Sequence, residues 1–470
     1  MSRRPAALPR RLAAVALSLC LSIAVARSAA TDTPAATAGL SFLVGGTQVH
    51  ETDHGRWTGA LLEAGLNTVA VTVYARQGEW DSNALTFEAE DPAVLDEIRA
   101  AKSRGLSVVL VLRVALDHSH ARNKFIWHGM IMPGSREAIR SWFENYTRFV
   151  LTWAWIAEAE GVDVLGVGSE LNALNETLPI TRRGNLKNYY GSYWYQRLSR
   201  RRARKFADEI EPRHLWVRGF ENYQTLDEYL DARFEHNVAW ARKAYLRSGP
   251  HTLRRINARR RAINDEWVGL IGETRKVYGG LLTYAANFDS YQNVGFWPWL
   301  DMIGINAYFS LLPTVDEQLT PEARHERFVA AWEGILGRVA EFKTGQGLAE
   351  MPFLFTEIGY TFRRHSTVEP WAHGGFSVVG WKGHARRLVV WGDQPVDYEE
   401  RRQALAALLE VHRAGASHLR GILYWKLSTN PAHEAIEPFV VLVGPDTGDG
   451  TQEVLRRFGD GSGKGALDAD

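Results

Sequence analysis

Apolar positions along this chain fall into two alternating rhythms. Short, nearly unbroken apolar runs occur at Ser41–Val44, Asn67–Tyr74, Ser107–Val114, Val162–Glu170, Leu281–Ala286, Asp301–Tyr308, Met351–Glu357 and Gly421–Trp425. Runs with so little polar alternation are what strands buried on both faces require. Between them lie stretches with helical spacing: Asp91–Lys102, Ser135 to about Gly161, Asn264–Tyr278, Pro321–Lys343 and Tyr398–Ala414. Asp91-Pro92 reads as a helix start and Gly105 as its end, while Ala64-Gly65 reads as a helix stop before the second strand. Strand alternating with helix predicts a parallel sheet. Eight repeats predict an α/β fold of the closed (β/α)8 TIM-barrel type.

One segment breaks the rhythm. Residues 176–262, directly after the fourth strand, are polar and helical in character and form a large, mainly helical basic insertion. They carry 20 Lys/Arg against 9 Asp/Glu, an excess of 11 positive charges, so in a chain of net charge +1 the remainder is negative. A solvated helical subdomain is the plainer expectation. The sharper one is a positive lid that attracts an acidic polysaccharide or an anionic surface to the active face. Trp194, Tyr195, Trp216 and Trp240 within it either stack on sugars or fill a small core.

Composition adds limits rather than a function. The chain has 470 residues and a near-neutral charge, which gives no argument for nucleic acid as a partner of the whole molecule. Arg3, Arg4, Arg10 and Arg11 precede an apolar run from about Leu12 to Ala26 followed by small residues, the order of a secretory signal. Residues 1–30 are therefore expected to be a signal peptide, with an uncleaved N-terminal anchor as the alternative. A lead-in at 31–38, a catalytic domain at 39–460 and a disordered tail at 461–470 follow. Export to the periplasm or medium, with no stable membrane insertion after cleavage, is the expectation. Cys20, the sole cysteine, lies in the signal, so neither a disulfide nor a thiol-ligated metal is expected.

The chemistry centres on two glutamates. Glu170 closes the fourth strand and Glu357 the seventh, at the strand ends where (β/α) barrels hold their reacting groups. Two carboxyl groups facing each other across the pore are what glycosidic bond cleavage needs. In this reading Glu170 is the general acid and then base, its pKa raised by burial and by the second carboxylate, and Glu357 is the nucleophile. Asp117-His118-Ser119-His120 offers a His-x-His pair without a second ligand cluster, and glycine-rich phosphate loops are lacking. No metal or other cofactor is expected.

The ordered motifs Trp142–Tyr146, Val167–Leu171, Leu282–Asn287, Phe296-Trp297, Asp301–Tyr308, Phe355–Tyr360 and Tyr424–Lys426 give the chain a family resemblance. It resembles the clan A retaining glycoside hydrolases, most closely the β-mannanases of glycoside hydrolase family 113, over most of residues 39–430 apart from the insertion. The resemblance implies Glu170 as acid/base and Glu357 as nucleophile. It implies Tyr308 as the hydroxyl that orients the nucleophile, Trp425 as the platform beneath the cleaved sugar, and Asn287 and Trp297 as further substrate contacts. Ser169 stands where many clan members have Asn, as the resembled family tolerates; two features depart from the family pattern, the third strand ending in Arg113–His118 rather than a proline-containing stretch and the basic insertion, which has no counterpart in it. The function expected is an exported retaining β-glycosidase of the endo-mannanase type acting on a polysaccharide or oligosaccharide. Alternatives are a transglycosylase, a hydrolase of an acidic exopolysaccharide, a metal-dependent barrel hydrolase and, from another class, a non-catalytic carbohydrate-binding barrel.

Overall fold

The structure, a computed structural model, describes residues 41–182, 193–244, 252–380, 383–415, 418–445 and 449–460. The expected signal, lead-in and tail lie outside the described residues. The strands are β1 (Leu43–Gln48), β2 (Thr68–Gln77), β3 (Ser107–Leu116), β4 (Val164–Ser169), β5 (Leu281–Asn287), β6 (Ile303–Asn306), β7 (Phe353–Ile358), β8 (Phe376–Val379), β9 (Arg387–Val390), β10 (Leu419–Ser428) and β11 (Val441–Leu442). Strands β1 to β7 pair in sequence order, β7 pairs with β10, and β10 closes back onto β1. Every pairing in this ring is parallel, so it is the eight-stranded barrel that the alternation predicts. Strands β8 and β9 form a separate antiparallel hairpin in the loop after β7, which the apolar pattern did not reveal.

Side-chain alternation sorts each strand between two cores. Val109 and Val111 of β3 point into the barrel, where Leu43, Ala70, Val164, Ala285, Met302, Leu354 and Leu423 fill the pore. Val108, Leu110 and Leu112 point outward into the larger core under the helices, which contains the fully buried Trp57, Trp142, Trp267 and Trp332. Close strand approach explains Gly45: a Cβ there would lie 1.7 Å from the Thr68 carbonyl oxygen of β2.

The helices are α1 (His54–Glu63), α2 (Pro92–Ser103), α3 (Arg136–Ala159), α4 (Tyr193–Ala203), α5 (Leu226–Ala244), α6 (Thr252–Arg275), α7 (Pro321–Gly345), α8 (Tyr398–Ala414) and α9 (Thr451–Gly459). Their starts follow the sequence: Asp91, Ser135, Thr320 and Asp397 each accept a first-turn backbone N–H, and Pro follows the cap in α2 and α7. Helix α6 begins twelve residues before the expected Asn264, because the chain runs without a break from the insertion into the barrel helix.

Helices α4 and α5 and the turns between them share a small core of their own: Ala203, Ile210, Leu215, Val217, Tyr229 and Leu230. Phe125 of the β3–α3 loop and Phe376 and Leu388 of the hairpin join it. The insertion is thus tied to loops that rise from opposite sides of the barrel mouth. Many of its charges are paired: Arg200 with Asp231, Arg204 with Asp227, Arg213 with Glu211 and Asp393, and Arg260 with Glu176.

Candidate active site

Glu170 leaves β4 with φ of +51°, a left-handed conformation that is uncommon for a residue with a side chain. Its backbone N–H donates to the Ala285 carbonyl of β5 at 2.9 Å, and the following N–H of Leu171 donates to the Tyr284 hydroxyl. This anchoring turns the carboxylate over the pore. Glu357, still within β7, arrives by ordinary extended backbone, and both carboxylates are largely buried.

One cation joins them. Arg113 Nη2 donates to Glu170 Oε2 at 2.9 Å and Nη1 lies 3.1 Å from Glu357 Oε1. Arg113 follows Val109 and Val111 in the alternation of β3, so it is the inward position at the top of the strand. Burial works against its charge, but Glu357 and Glu170 override that and raise its pKa. Each glutamate also has a private partner. Tyr308, just past β6, donates its hydroxyl to Glu357 Oε2 at 2.9 Å, and His128 Nε2 lies 2.9 Å from Glu170 Oε2.

These partners set the protonation of the pair against the expectation. Burial pushes Glu170 up, but the His128 hydrogen bond and the Arg113 charge outweigh it and hold the carboxyl at about 2. Glu357 is pushed up to about 7, by burial and by the Glu170 charge, against the pull of Arg113. The raised carboxyl is Glu357 rather than Glu170, because Arg113 is shared by both while His128 and Asn306 bear on Glu170. Two carboxyls this tightly linked titrate as a pair, which holds one proton between about pH 2 and pH 7. Tyr308 is raised well above its ordinary value, first by burial and then by the two carboxylates, and so remains a donor.

The other expected site residues divide. Trp425, in the C-terminal half of β10, is half-buried beside the pair, with the Arg113 guanidinium 5.2 Å and the Lys426 ammonium 4.3 Å from its ring centre. Asn287 ends β5, and its Oδ1 is buried with no hydrogen-bond partner among the described residues. A buried acceptor left open at a strand end suits a ligand hydroxyl. Trp297 is a correction. It is fully buried, its indole N–H donates to the Tyr291 carbonyl at 2.9 Å, and it packs against Phe296 and Tyr284 in the outer core. It supports the fold and does not face the site.

Sequence reasoning passed over three residues here. Arg113 had a visible signal, a lone charge in an apolar strand. Asn306, fully buried at the end of β6, accepts from Thr356 Oγ1 at 2.7 Å and reaches toward Ser169 and Glu170. His128 comes from the irregular β3–α3 loop, where no periodicity marks it. The His118/His120 pair forms no metal cluster: no group of three or more ligand residues occurs among the described residues.

The family model for Glycoside Hydrolase Family 113 matches residues 50–178 and 254–379, more than half of the chain. The chain belongs to glycoside hydrolase family 113. It is a glycoside hydrolase on a clan A (β/α)8 barrel, and its substrate class is carbohydrate. The solved family 113 β-mannanase AaManA from Alicyclobacillus acidocaldarius, in complex with ManMIm, is similar at 17% identity with a TM-score of 0.53, over 90% of this chain and 98% of that one. A family 113 β-1,4-mannanase structure is similar at 18% identity and the same TM-score, over 90% of this chain and all of the other. At such identities the likeness speaks to the fold. No curated protein matches. Glu170 lies in the first matched segment of this family 113 enzyme, and Asn287, Tyr308 and Glu357 lie in the second. Residues 179–253, most of the basic insertion, lie in neither.

Proposed function

We propose that this glycoside hydrolase is an exported, retaining β-mannan hydrolase that cuts within the chain by double displacement. Glu357 is the nucleophile and Glu170 the acid/base. The observation that carries the mechanism is the single Arg113 guanidinium bonded to both carboxylates. A fork of that size keeps the two groups close, which suits the ~5–5.5 Å separation of retaining enzymes better than the ~6.5–9.5 Å that leaves room for a water. Two similar family structures, one named a β-mannanase and one a β-1,4-mannanase, support a neutral mannan substrate, as does the internal pairing of many insertion arginines.

The proton must then sit on Glu170 when the bond breaks, whereas the protein partners alone favour Glu357. Substrate supplies the shift. A glycosidic oxygen can only accept a hydrogen bond, so beside Glu170 it is satisfied by a protonated carboxyl that donates to it, which favours the proton on Glu170. Positive charge developing at the anomeric carbon favours ionised Glu357. Glu170 protonates the leaving oxygen while Glu357 forms the glycosyl ester. Glu170, now a carboxylate, deprotonates the water that hydrolyses that ester. Tyr308 holds one Glu357 oxygen so that the other attacks, and Trp425 and Asn287 position the sugar.

The test is hydrolysis of β-mannan and β-manno-oligosaccharides followed by proton NMR of the first product anomer. Initial release of the β-anomer supports double displacement, and the α-anomer overturns it. Trapping with a 2-fluoro β-mannoside should place the label on Glu357 in a digest. With an added sugar acceptor, transfer products in excess of free sugar would instead make the enzyme a transglycosylase on the same residues. Export is tested by the N-terminus of the protein recovered outside the cytoplasm, which should begin near residue 31.

A further inference from the structure

Residues 215–220 of the insertion run across the mouth of the barrel. Leu215 and Val217 are buried in the insertion's own core, and the residues alternating with them, Trp216 and Arg218, are exposed. Trp216 and Arg218 therefore project away from that core, Arg218 from a turn in which the Phe220 N–H donates to the Val217 carbonyl at 3.0 Å. What they meet lies on the two banks of the active site.

On the nucleophile bank, the Trp216 ring is 6.3 Å from that of His373, edge-on. His373 contacts Phe439 at 5.9 Å, and Phe439 contacts Tyr308, the partner of Glu357, at 6.2 Å. On the acid/base bank, Gly219 presses on the His118 carbonyl so closely that a Cβ would come within 2.7 Å of its oxygen, and its φ of +78° also favours glycine. Burial, then Arg218 and His128, lower the His118 pKa, which places the Arg218 charge beside the loop that delivers His128 to Glu170. Arg218 has no ion-pair partner among the described residues. The segment is pinned at both ends: Arg213 and His214 bond Asp393 beyond the hairpin, and Lys124 of the β3–α3 loop lies over Phe220 and Tyr223.

The other insertion aromatics do not share this position. Trp240 is core, with its indole N–H on the Met130 carbonyl, and Trp194 is exposed on α4 beside Arg197 and Tyr193. Trp216 is 47% exposed although both its chain neighbours are buried. An anchored, half-exposed indole on one bank and, two residues on, a guanidinium with no ion-pair partner among the described residues on the other suit a pyranose lying between them: its apolar face on the indole, its hydroxyls accepting from the cation.

We propose that Trp216 and Arg218 form a glycan-binding subsite, supplied by the insertion, for a sugar unit of the bound chain that lies beyond the bond being cleaved. The subsite rests on the β-glycan hydrolase reading above, and it lies in the part of the chain that the family model does not match. It extends binding along the substrate without touching the reacting atoms.

The experiment compares W216A, W216F and wild type on β-1,4-mannohexaose and on a short aryl β-mannoside. The subsite predicts that the ratio of kcat/KM on the hexasaccharide to that on the aryl glycoside falls about tenfold in W216A, through KM, and is largely restored in W216F. R218A should lower the same ratio. Binding of the hexasaccharide to an inactive E357Q background, read by calorimetry, should weaken by a similar factor with W216A, and thermal melting checks that each variant is folded. An unchanged ratio in a folded, active W216A overturns the subsite alone. A wild type that cleaves neither substrate overturns the hydrolase reading beneath it, and the calorimetric arm still decides whether Trp216 binds glycan.

Discussion

Arg113 reaches Glu170 with one guanidinium nitrogen at 2.9 Å, and its other terminal nitrogen is already engaged by the opposite carboxylate. No other cation touches both glutamates among the described residues. Removing a partner from a buried ionic group costs about 3–5 kcal/mol, because the charges left behind are uncompensated. R113A should therefore lose both activity and several kcal/mol of stability at pH 7, and R113K should recover only part of each, since one ammonium cannot match the two-pronged grip. Denaturant unfolding and kcat, measured together, check this. A fully active R113A would show that the bridge has no bearing on the pair.

The two glutamates should differ in how they depend on the leaving group. General acid catalysis contributes about 10²–10⁴-fold, and less where the leaving group needs no proton. E170A should thus be far weaker on β-mannan but much less impaired on a dinitrophenyl β-mannoside. E357A should be inactive on both. Equal losses on both substrates in E170A would remove its role as the acid.

Tyr308 donates to Glu357, and that bond becomes worth about 1.5–3 kcal/mol only when the carboxyl ionises during the reaction and the acceptor is charged. Y308F should lower kcat by about ten- to a hundredfold at pH 7 while melting near the wild-type temperature. A variant that keeps full kcat would leave Tyr308 with a packing role only.

Protonation gives a signed stability test. Glu357 has a folded pKa of about 7 against an ordinary 4.5, so the folded state holds its proton more tightly than the unfolded state. Stability it contributes is complete below about pH 4.5 and is lost as pH rises toward 7. E357Q does not titrate, so its stability relative to wild type should improve across that window, by on the order of 3 kcal/mol. Glu170, held at about 2, has the opposite sign: its stabilisation is present above pH 4.5 and fades as pH falls toward 2. E170Q should therefore fall behind wild type as pH rises from about 2 to 4.5 and stay behind above it. Melting curves from pH 2 to 8 read both, and flat differences would refute the assignment.

Trp297 offers a control. It is fully buried, and truncating a large aromatic in a core costs about 3–5 kcal/mol. W297A should be strongly destabilised, whereas folded W297F should keep wild-type KM. A raised KM in W297F would return Trp297 to the substrate.

The barrel was legible because buried parallel strands leave a strong mark: β3 and β7 are apolar nearly throughout, and their neighbouring helices carry caps at Asp91, Ser135 and Thr320. The positions of Glu170 and Glu357 at strand ends could be read for the same reason. The protonation of the pair could not, since it depends on His128, 42 residues before Glu170 and in a loop without period. Trp297 misled because an aromatic beside a proline near a strand end reads alike whether it faces core or cleft; only its bond to Tyr291 decides. Alternation along β3 did hold the clue to Arg113, which continues the inward series of Val109 and Val111. The path of residues 215–220 over the mouth depends on contacts with His118 and His373, about 100 and 160 residues away in sequence, which no local pattern records.

Arg113, Glu170 and Glu357 together carry one uncompensated negative charge when both glutamates are ionised. At rest a proton neutralises it. During the proposed reaction that proton leaves with the departing sugar oxygen, at the moment when the sugar ring becomes cationic. The net charge of the assembly of ring and side chains therefore need not change as the bond breaks, and little surrounding protein has to reorient. A fixed guanidinium between two carboxylates thus works as a charge reference, matched in advance to a cation that exists only in passing.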